Sequence, residues 1–178
     1  MHNNKITMKA TLLIFLFVNI SIVNSQNNIF NICRDGSVAE ITKLYQSNPS
    51  SINKINSQGF SPLILACYHG NTPIVSFLID KVDNINGTSN YGTPLMAAVV
   101  KGNLPITKLL LANKAETNTA DSNGTTALHY ATLFKQTKIA KLLVEAGANY
   151  KLKDGNDKSA YDYALINNNQ ELLTLFKN

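Results

Sequence analysis

The chain has 178 residues, of which 44% are hydrophobic and 15% are charged, and its formal net charge is +5 at pH 7. This balance supplies enough apolar side chains for a buried core and excludes an intrinsically disordered or a collagen-like chain. The basic residues are scattered as single lysines rather than clustered, so the composition does not indicate a nucleic-acid-binding protein.

The first 25 residues have the pattern of a secretory signal peptide. Lys5 and Lys9 precede an uncharged apolar run over residues 10–23, and the small residues Val23 and Ser25 precede a suitable cleavage site. The run is short for a membrane span, which needs about 20 apolar residues, although an uncleaved anchor is the alternative. We therefore predict cleavage after Ser25, a secreted or periplasmic protein, and no stable membrane insertion after cleavage.

Three closely similar stretches of nineteen residues follow this segment. They are SPLILACYHGNTPIVSFLI from Ser61, TPLMAAVVKGNLPITKLLL from Thr93 and TALHYATLFKQTKIAKLLV from Thr126, and a looser fourth match begins at Ser159. The starting points are separated by 32, 33 and 33 residues. A fixed period of this size is typical of proteins built from stacked structural repeats.

Each stretch predicts two short antiparallel helices. A Ser or Thr is suited to cap the first helix, and Pro62 and Pro94 stand at its first position, where a missing N–H is tolerated. In the middle stretch Leu95, Ala98 and Val99 fall at i, i+3 and i+4, so one face of the helix is apolar. A stack of such units buries apolar faces that one unit alone would leave in water.

Glycine and asparagine mark the connections. Gly70 and Gly102 follow the first helix, at a position where a left-handed backbone favours glycine. The segments between units contain Asn53, Asn86 and Asn118, followed by clusters of Ser, Asn, Gln and Gly that predict hairpin-like tips.

The recurring TPLMAA, SPLILA and TALHYA segments and their period resemble the ankyrin repeat family. The resemblance is close for three units, looser at both ends, and covers essentially the whole chain after the signal segment. It implies an all-α solenoid of about five helix-turn-helix units with hairpin-like tips, in which divergent first and last units cap the stack. The predicted domain covers residues 26–178, with units at 27–59, 60–91, 92–124, 125–157 and 158–178.

The two end units depart from the repeat. In the first unit Gly36 ends a helix but is followed by one extra residue before Ile41, so its register is uncertain. In the last unit Tyr161, Ala164 and Leu165 continue the predicted packing stripe, and polar residues replace the glycine turn.

The resemblance also implies structural roles for particular residues. His129 lies where the family usually has a histidine, which implies hydrogen bonds across the junction between hairpin and helix. The residues predicted to have structural roles are Thr93, Pro94, Thr126, His129, Gly70 and Gly102.

Tip residues and the exposed edge of each first helix line one concave face in ankyrin-like stacks, and the resemblance places Arg34 and Asp35 on that face in the first unit. The predicted partner-binding residues are Phe60, Tyr68, His69, Tyr91, Val100, Lys101, Asn123, Leu133 and Phe134. A contiguous apolar and aromatic surface is a signal of partner binding. The alternative is that Val100, Leu133 and Phe134 pack into the adjacent helix pair.

Catalytic motifs are missing from the sequence, which has no HExxH, GxSxG, CxxC or phosphate-binding glycine loop. We therefore expect no enzyme, cofactor or metal, but a monomeric module that binds another protein and no nucleic acid. A regulatory inhibitor of an enzyme or toxin in the same compartment is the alternative. A small hydrolase or redox enzyme using His69, His129 and Asp35 is the alternative of another class.

Two cysteines and two glycosylation triplets complete the candidate sites. Cys33 and Cys67 occupy equivalent places in adjacent units, where a disulfide is conceivable in a secreted protein. Stacked helices lie roughly 8–10 Å apart, beyond the roughly 7 Å between bridged Cα atoms, which favours two buried thiols. Acceptor triplets begin at Asn86 and Asn123, in segments expected to be exposed.

Overall fold

The computed structural model describes residues 28–177, so the predicted signal segment and its cleavage site lie outside the described residues. Within this range the chain folds into ten α-helices in five consecutive pairs, which confirms the predicted all-α repeat architecture. The pairs are α1 (Ile29–Asp35) and α2 (Val38–Ser47), α3 (Pro62–His69) and α4 (Thr72–Ile79), α5 (Pro94–Val100) and α6 (Leu104–Ala112), α7 (Ala127–Leu133) and α8 (Thr137–Glu145), and α9 (Ala160–Ile166) and α10 (Gln170–Leu175). A 3₁₀ helix at Pro49–Asn53 follows the first pair.

The first helices begin at their capping residues. The hydroxyl oxygens of Ser61, Thr93 and Ser159 each accept a hydrogen bond of 3.2 Å from the backbone N–H three residues further along the chain. Pro62 and Pro94 occupy the first helical position of α3 and α5. Each cap satisfies an N–H group that has no partner within the helix, and this local signal determines where α3, α5 and α9 start.

A left-handed residue turns the chain from the first helix of a pair to the second. Gly70 and Gly102 adopt φ angles of 77° and 65° at this place. Lys135 and Asn168 occupy the same place in the last two pairs with φ angles of 56° and 52°. Because a side chain disfavours this conformation, the turns of the last two pairs are intrinsically less favourable than those of the second and third.

The five pairs stack side by side, first helix against first helix and second against second. Cys67, Val99 and Thr132 occupy equivalent places on α3, α5 and α7, and all three are fully buried. Leu165 occupies that place on α9 and is 47% exposed. The expectation that Leu165 lies on a packed stripe is therefore wrong for the described residues, since no described pair follows α9 and α10.

An aromatic cluster packs around Phe176, which directly follows α10 in the last pair. The rings of Tyr150 and Phe176 stack with centroids 5.0 Å apart, and Tyr161 lies 6.5 Å from Phe176. Phe176 is buried although it is close to the end of the chain. The two tyrosine rings thus contribute to the burial of Phe176.

The first pair differs from the others at its turn. Gly36 has an extended backbone (φ −84°, ψ 178°) rather than a left-handed one, and Ser37 caps α2 in a capping box with Glu40. A Cβ at Gly36 would lie 2.7 Å from the Cα of Ile32, so only glycine fits this close approach. The extended glycine accommodates the extra residue and leaves Ile41 fully buried.

Hairpin tips connect the pairs, and each tip takes the number of the pair that follows it, so the tip before the second pair is the second tip and the tip before the fifth pair is the fifth. Backbone bridges close the last three tips between Ser89 and Gly92, Ala120 and Thr126, and Lys153 and Ser159. At the base of the tips, side-chain oxygens of equivalent asparagines accept backbone N–H groups about one unit further along the chain. The pairs are Asn53 with Asp83 (3.0 Å), Asn86 with Glu116 (2.9 Å) and Asn118 with Asn149 (2.7 Å). These bonds tie neighbouring units together.

The two glycosylation triplets differ in accessibility. Asn123 is exposed at a tip, as expected. Asn86 is half-buried and its carboxamide accepts the Glu116 N–H, so the expectation that this triplet begins in an exposed tip is wrong.

Candidate partner-binding groove

A groove of about 490 Å³ crosses the concave side of the stack from the first pair to the fourth. Its floor consists of Ile64, Leu65 and Ala97, which belong to α3 and α5 and are buried. The walls and rim of this aromatic groove are formed by Arg34, Gln58, Phe60, Tyr68, His69, Tyr91, Val100, Tyr130 and Phe134. Side chains of four helix pairs therefore converge on one concave surface.

The structure brings most of the predicted partner-binding residues together. Six of them line the aromatic groove: Phe60, Tyr68, His69, Tyr91, Val100 and Phe134. Lys101 lies beside it, with its ammonium nitrogen 4.8 Å from the centroid of the Tyr68 ring. Asn123 and Leu133 lie instead in a neighbouring polar pocket between the last two tips.

Aromatic pairs hold the groove walls while leaving much of their surface in solvent. Phe60 stacks on Tyr91 with centroids 5.3 Å apart, and Tyr130 stacks on Phe134 with centroids 6.1 Å apart. Tyr91 is nevertheless 69% exposed, Phe134 51% and Tyr68 44%. The alternative that Phe134 packs into the adjacent helix pair does not hold, because half of its surface remains exposed. Stacking between neighbouring rings thus fixes the orientation of an exposed apolar surface that a partner could contact.

Tyr130 is a groove residue that the sequence reasoning missed. It stands four residues after the capping residue Thr126, where Leu65 and Ala97 stand in the preceding units. This position varies between units while the alanine that follows it repeats as Ala66, Ala98 and Ala131, and that contrast is the signal that would have identified it. The groove therefore includes one more position of α3, α5 and α7 than predicted.

A hydrogen bond holds the Tyr130 ring against the fourth tip. Its phenol O–H donates to the Asp121 carboxylate over 2.6 Å, while the other oxygen of Asp121 accepts the N–H groups of Asn123 and Thr125. Burial, together with the bond to Asp121 and its negative charge, raises the pKa of Tyr130 to about 12. The Asp121 carboxylate is thus occupied by three donors and fixes the aromatic wall.

The polar pocket has a volume of about 700 Å³ and lies between the fourth and fifth tips. The same tyrosine–aspartate arrangement recurs here, because the Tyr163 O–H donates to Asp154 over 2.6 Å. Asp154 also accepts the N–H groups of Asn156 and Lys158 and is itself buried. These bonds shape the fifth tip and leave Asp154 a structural carboxylate rather than a ligand-binding one.

His129 joins the fourth pair to the fifth tip. Its Nδ1 lies 3.1 Å from the Thr126 backbone nitrogen and 2.8 Å from the Thr126 hydroxyl. Its Nε2 lies 3.0 Å from the Leu152 carbonyl oxygen and 3.1 Å from that of Lys158. Because a carbonyl oxygen can only accept, Nε2 must carry the proton that it donates to Leu152 and Lys158. Nδ1 must be the unprotonated nitrogen, because it accepts the Thr126 N–H.

The hydrolase alternative does not fit this geometry. His129 is fully buried with both ring nitrogens occupied, whereas His69 is exposed and lines the aromatic groove. Asp35 is exposed on α1. The structure therefore does not assemble His69, His129 and Asp35 into one site.

The two cysteines are free thiols in the structure, and both are fully buried. Burial raises the pKa of Cys33 to about 12 and that of Cys67 still further, with a contribution from Cys33 itself. A thiol that resists deprotonation is a poor nucleophile and a poor metal ligand. Within residues 28–177 no three His, Cys, Asp or Glu side chains are grouped so that they could hold a metal ion.

None of the helices in residues 28–177 has the length and apolar character that crossing a bilayer requires.

Stacked helix pairs joined by hairpin tips, with a concave face lined by variable side chains, define a repeat solenoid. The family model described as "Ankyrin repeats (3 copies)" matches residues 29–121, 84–154 and 108–177. Since these spans together cover nearly all of the described residues, the chain belongs to the ankyrin repeat family. Ankyrin repeats form protein–protein interaction modules.

Relatives with this repeat occur in animals, fungi and bacteria. The chain is 32% identical over 153 residues to a putative ankyrin repeat-containing protein of Treponema pallidum, a match covering 84% of this chain and 51% of that protein. It is 31% identical over 120 residues to the rat ankyrin repeat and SAM domain-containing protein 6, covering 65% of this chain and 14% of that protein.

A third relative is the probable 26S proteasome regulatory subunit p28 of Saccharomyces cerevisiae, which is 29% identical over 128 residues. That match covers 68% of this chain and 56% of the yeast protein. The chain thus spans between 14% and 56% of the length of these three relatives.

Proposed function

We propose that this protein acts as a monomeric, non-catalytic module that binds a partner protein in the aromatic groove. The observation that carries the proposal is the set of half-exposed rings of Tyr68, Tyr91 and Phe134 above a buried apolar floor. Tyrosine and phenylalanine are enriched where protein interfaces are most fully buried. A soluble protein without a partner gains nothing from keeping such rings in water.

We further propose that the protein works outside the cytoplasm, in the periplasm or after secretion. The signal pattern that ends at Ser25 supports this proposal. A partner is therefore sought in that compartment.

The test compares partner capture by three forms of the protein. Tyr68→Ala combined with Phe134→Ala removes two groove rings, and it should leave the free energy of unfolding within about 1 kcal/mol because about half of each side chain is exposed. Ile166→Ala is the matched control, since Ile166 is 62% exposed and does not line the groove. The three forms are incubated with material from the native compartment, and bound proteins are measured by quantitative mass spectrometry.

The proposal predicts a protein that is retained by the unmodified chain and by Ile166→Ala but lost with the double variant. Equal retention by all three forms would place the interface elsewhere. A large loss of stability in the double variant would mean instead that the rings belong to the core. If the captured protein is an enzyme or toxin, its activity in the complex distinguishes an inhibitor from a simple docking module.

A further inference from the structure

We infer that the aromatic groove receives an acidic segment of its partner, one that carries bulky apolar side chains next to aspartate or glutamate. This inference rests on the proposed function and adds the chemistry of the partner. It follows from two properties of the groove, an apolar interior and unpaired positive charge at its rim.

The interior of the groove fits apolar side chains. Its volume of about 490 Å³ falls within the range of roughly 300–1,000 Å³ that is usual for concave binding sites. Ile64, Leu65 and Ala97 form a floor without charged groups, between the stacked pair of Phe60 and Tyr91 and the stacked pair of Tyr130 and Phe134. A polar side chain placed on this floor would lose water without gaining hydrogen bonds from Ile64, Leu65 or Ala97.

The rim of the groove carries cations. Arg34 lines the end that belongs to the first pair, and Lys101 lies over the Tyr68 ring near the middle. Within residues 28–177 one ion pair forms, between Lys153 and Asp162. Neither Arg34 nor Lys101 is therefore paired with a carboxylate of the described residues. Among the described residues, the Arg34 guanidinium makes one side-chain hydrogen bond, to the Asn31 carboxamide oxygen at 3.3 Å.

The carboxylates near the groove form no ion pair with these cations within residues 28–177. None of the lining residues is acidic. Asp121, which approaches the wall through Tyr130, already accepts from the Tyr130 phenol and from two backbone N–H groups. Asp35 adjoins Arg34 on α1 but is exposed and does not line the groove. An acidic partner would therefore pair its charges at the rim, whereas a basic one would meet like charge.

Selection from a displayed random peptide library tests the inference. Peptides of about 12 residues, long enough to lie along an extended groove, are selected on the purified chain and counter-selected on the variant with Tyr68→Ala and Phe134→Ala. We expect enrichment of Asp and Glu together with Phe, Tyr, Trp, Leu or Ile. Binding of the selected peptides should weaken as salt is raised, because exposed charges are screened.

Charge reversal provides the second arm. Arg34→Glu combined with Lys101→Glu should weaken the selected peptides by roughly tenfold or more, since attraction becomes repulsion. Lys141→Glu is the matched control, because Lys141 is an exposed lysine on α8, which does not line the groove, and it should change affinity by less than about twofold.

The outcomes separate this inference from the proposed function. The selected peptides could be basic or uncharged and still fail to bind the groove variant. That result would contradict the inference that the partner segment is acidic, but it would support the groove as the docking site. Peptides that bind the groove variant equally well would contradict both. Failure to enrich any peptide would overturn the inference, because a short segment would then not suffice, and the capture experiment would decide the proposed function separately.

Discussion

Replacing His129 by alanine tests how the fourth and fifth units are joined. The imidazole is fully buried and lies within hydrogen-bonding distance of four atoms, two of Thr126 at 2.8 and 3.1 Å and the carbonyl oxygens of Leu152 and Lys158 at 3.0 and 3.1 Å. Each such bond contributes about 0.5–1.5 kcal/mol, and a buried group left without a partner costs about 1–3 kcal/mol. We expect His129→Ala to lower the free energy of unfolding by about 3–5 kcal/mol.

The loss should appear first in the fifth unit. Stability in a repeat stack is a sum of unit and interface contributions, so a weakened interface lets the end unit open separately. Urea unfolding gives the total change, and hydrogen exchange at the amides of α9 and α10 shows where the opening occurs. The matched control is His69→Ala, because His69 is exposed in the groove, and its stability should stay within about 0.5 kcal/mol of the parent.

Two results would contradict the proposed contribution of His129 to the interface between the fourth and fifth units. A loss of less than about 1 kcal/mol in His129→Ala would mean that the hydrogen bonds across the interface contribute little. An equal loss in His69→Ala would mean that the stability change does not depend on the buried position.

Three further predictions concern a turn, the thiols and a phenol. Lys135→Gly should stabilise the protein by up to about 1 kcal/mol in urea unfolding, because Lys135 has a left-handed φ of 56°; a loss of stability would contradict the assignment of that turn. Without reductant, an alkylating reagent should modify Cys33 and Cys67 only when the protein unfolds, since both are buried free thiols; absence of labelling in denaturant would reveal a disulfide. The raised pKa of Tyr130 (about 12, from 10.0) means that the folded state holds the phenol proton more tightly, so stability is lost as pH rises from 10 to 12. In Tyr130→Phe the free energy of unfolding should decrease less steeply with pH than in the parent. Some decrease should remain, because the raised pKa of Cys33 acts in the same direction. An equally steep decrease in the variant would contradict the bond to Asp121.

Local chemistry made much of the fold predictable. The capping residues Ser61, Thr93 and Ser159 act through bonds within three residues, and the left-handed turns at Gly70 and Gly102 depend on single backbone positions. Such signals depend only on residues that are close together in the sequence, so they can be recognised without the structure. Their repetition along the chain predicted the stack. The period alone indicated that the units pack on one another.

The groove was predicted less completely because it depends on contacts between units. Tyr130 joins the wall through a bond to the preceding tip, and Asn123 and Leu133 face the polar pocket instead of the groove. The sequence of a single unit does not determine whether a residue lines the aromatic groove or the adjacent polar pocket. The exposure of Leu165 has the same origin, because burial at that place requires a following pair.

Photo-crosslinking from inside the groove tests most directly whether a partner docks there. Phe134 is replaced by p-benzoylphenylalanine in one variant and Ile166 in another, and each is irradiated with material from the native compartment. Both side chains are exposed, but Phe134 lines the aromatic groove and Ile166 does not. If the partner docks in the aromatic groove, it should be crosslinked from position 134 and not from position 166. A partner crosslinked from position 166 and absent from position 134 would contradict docking in the groove.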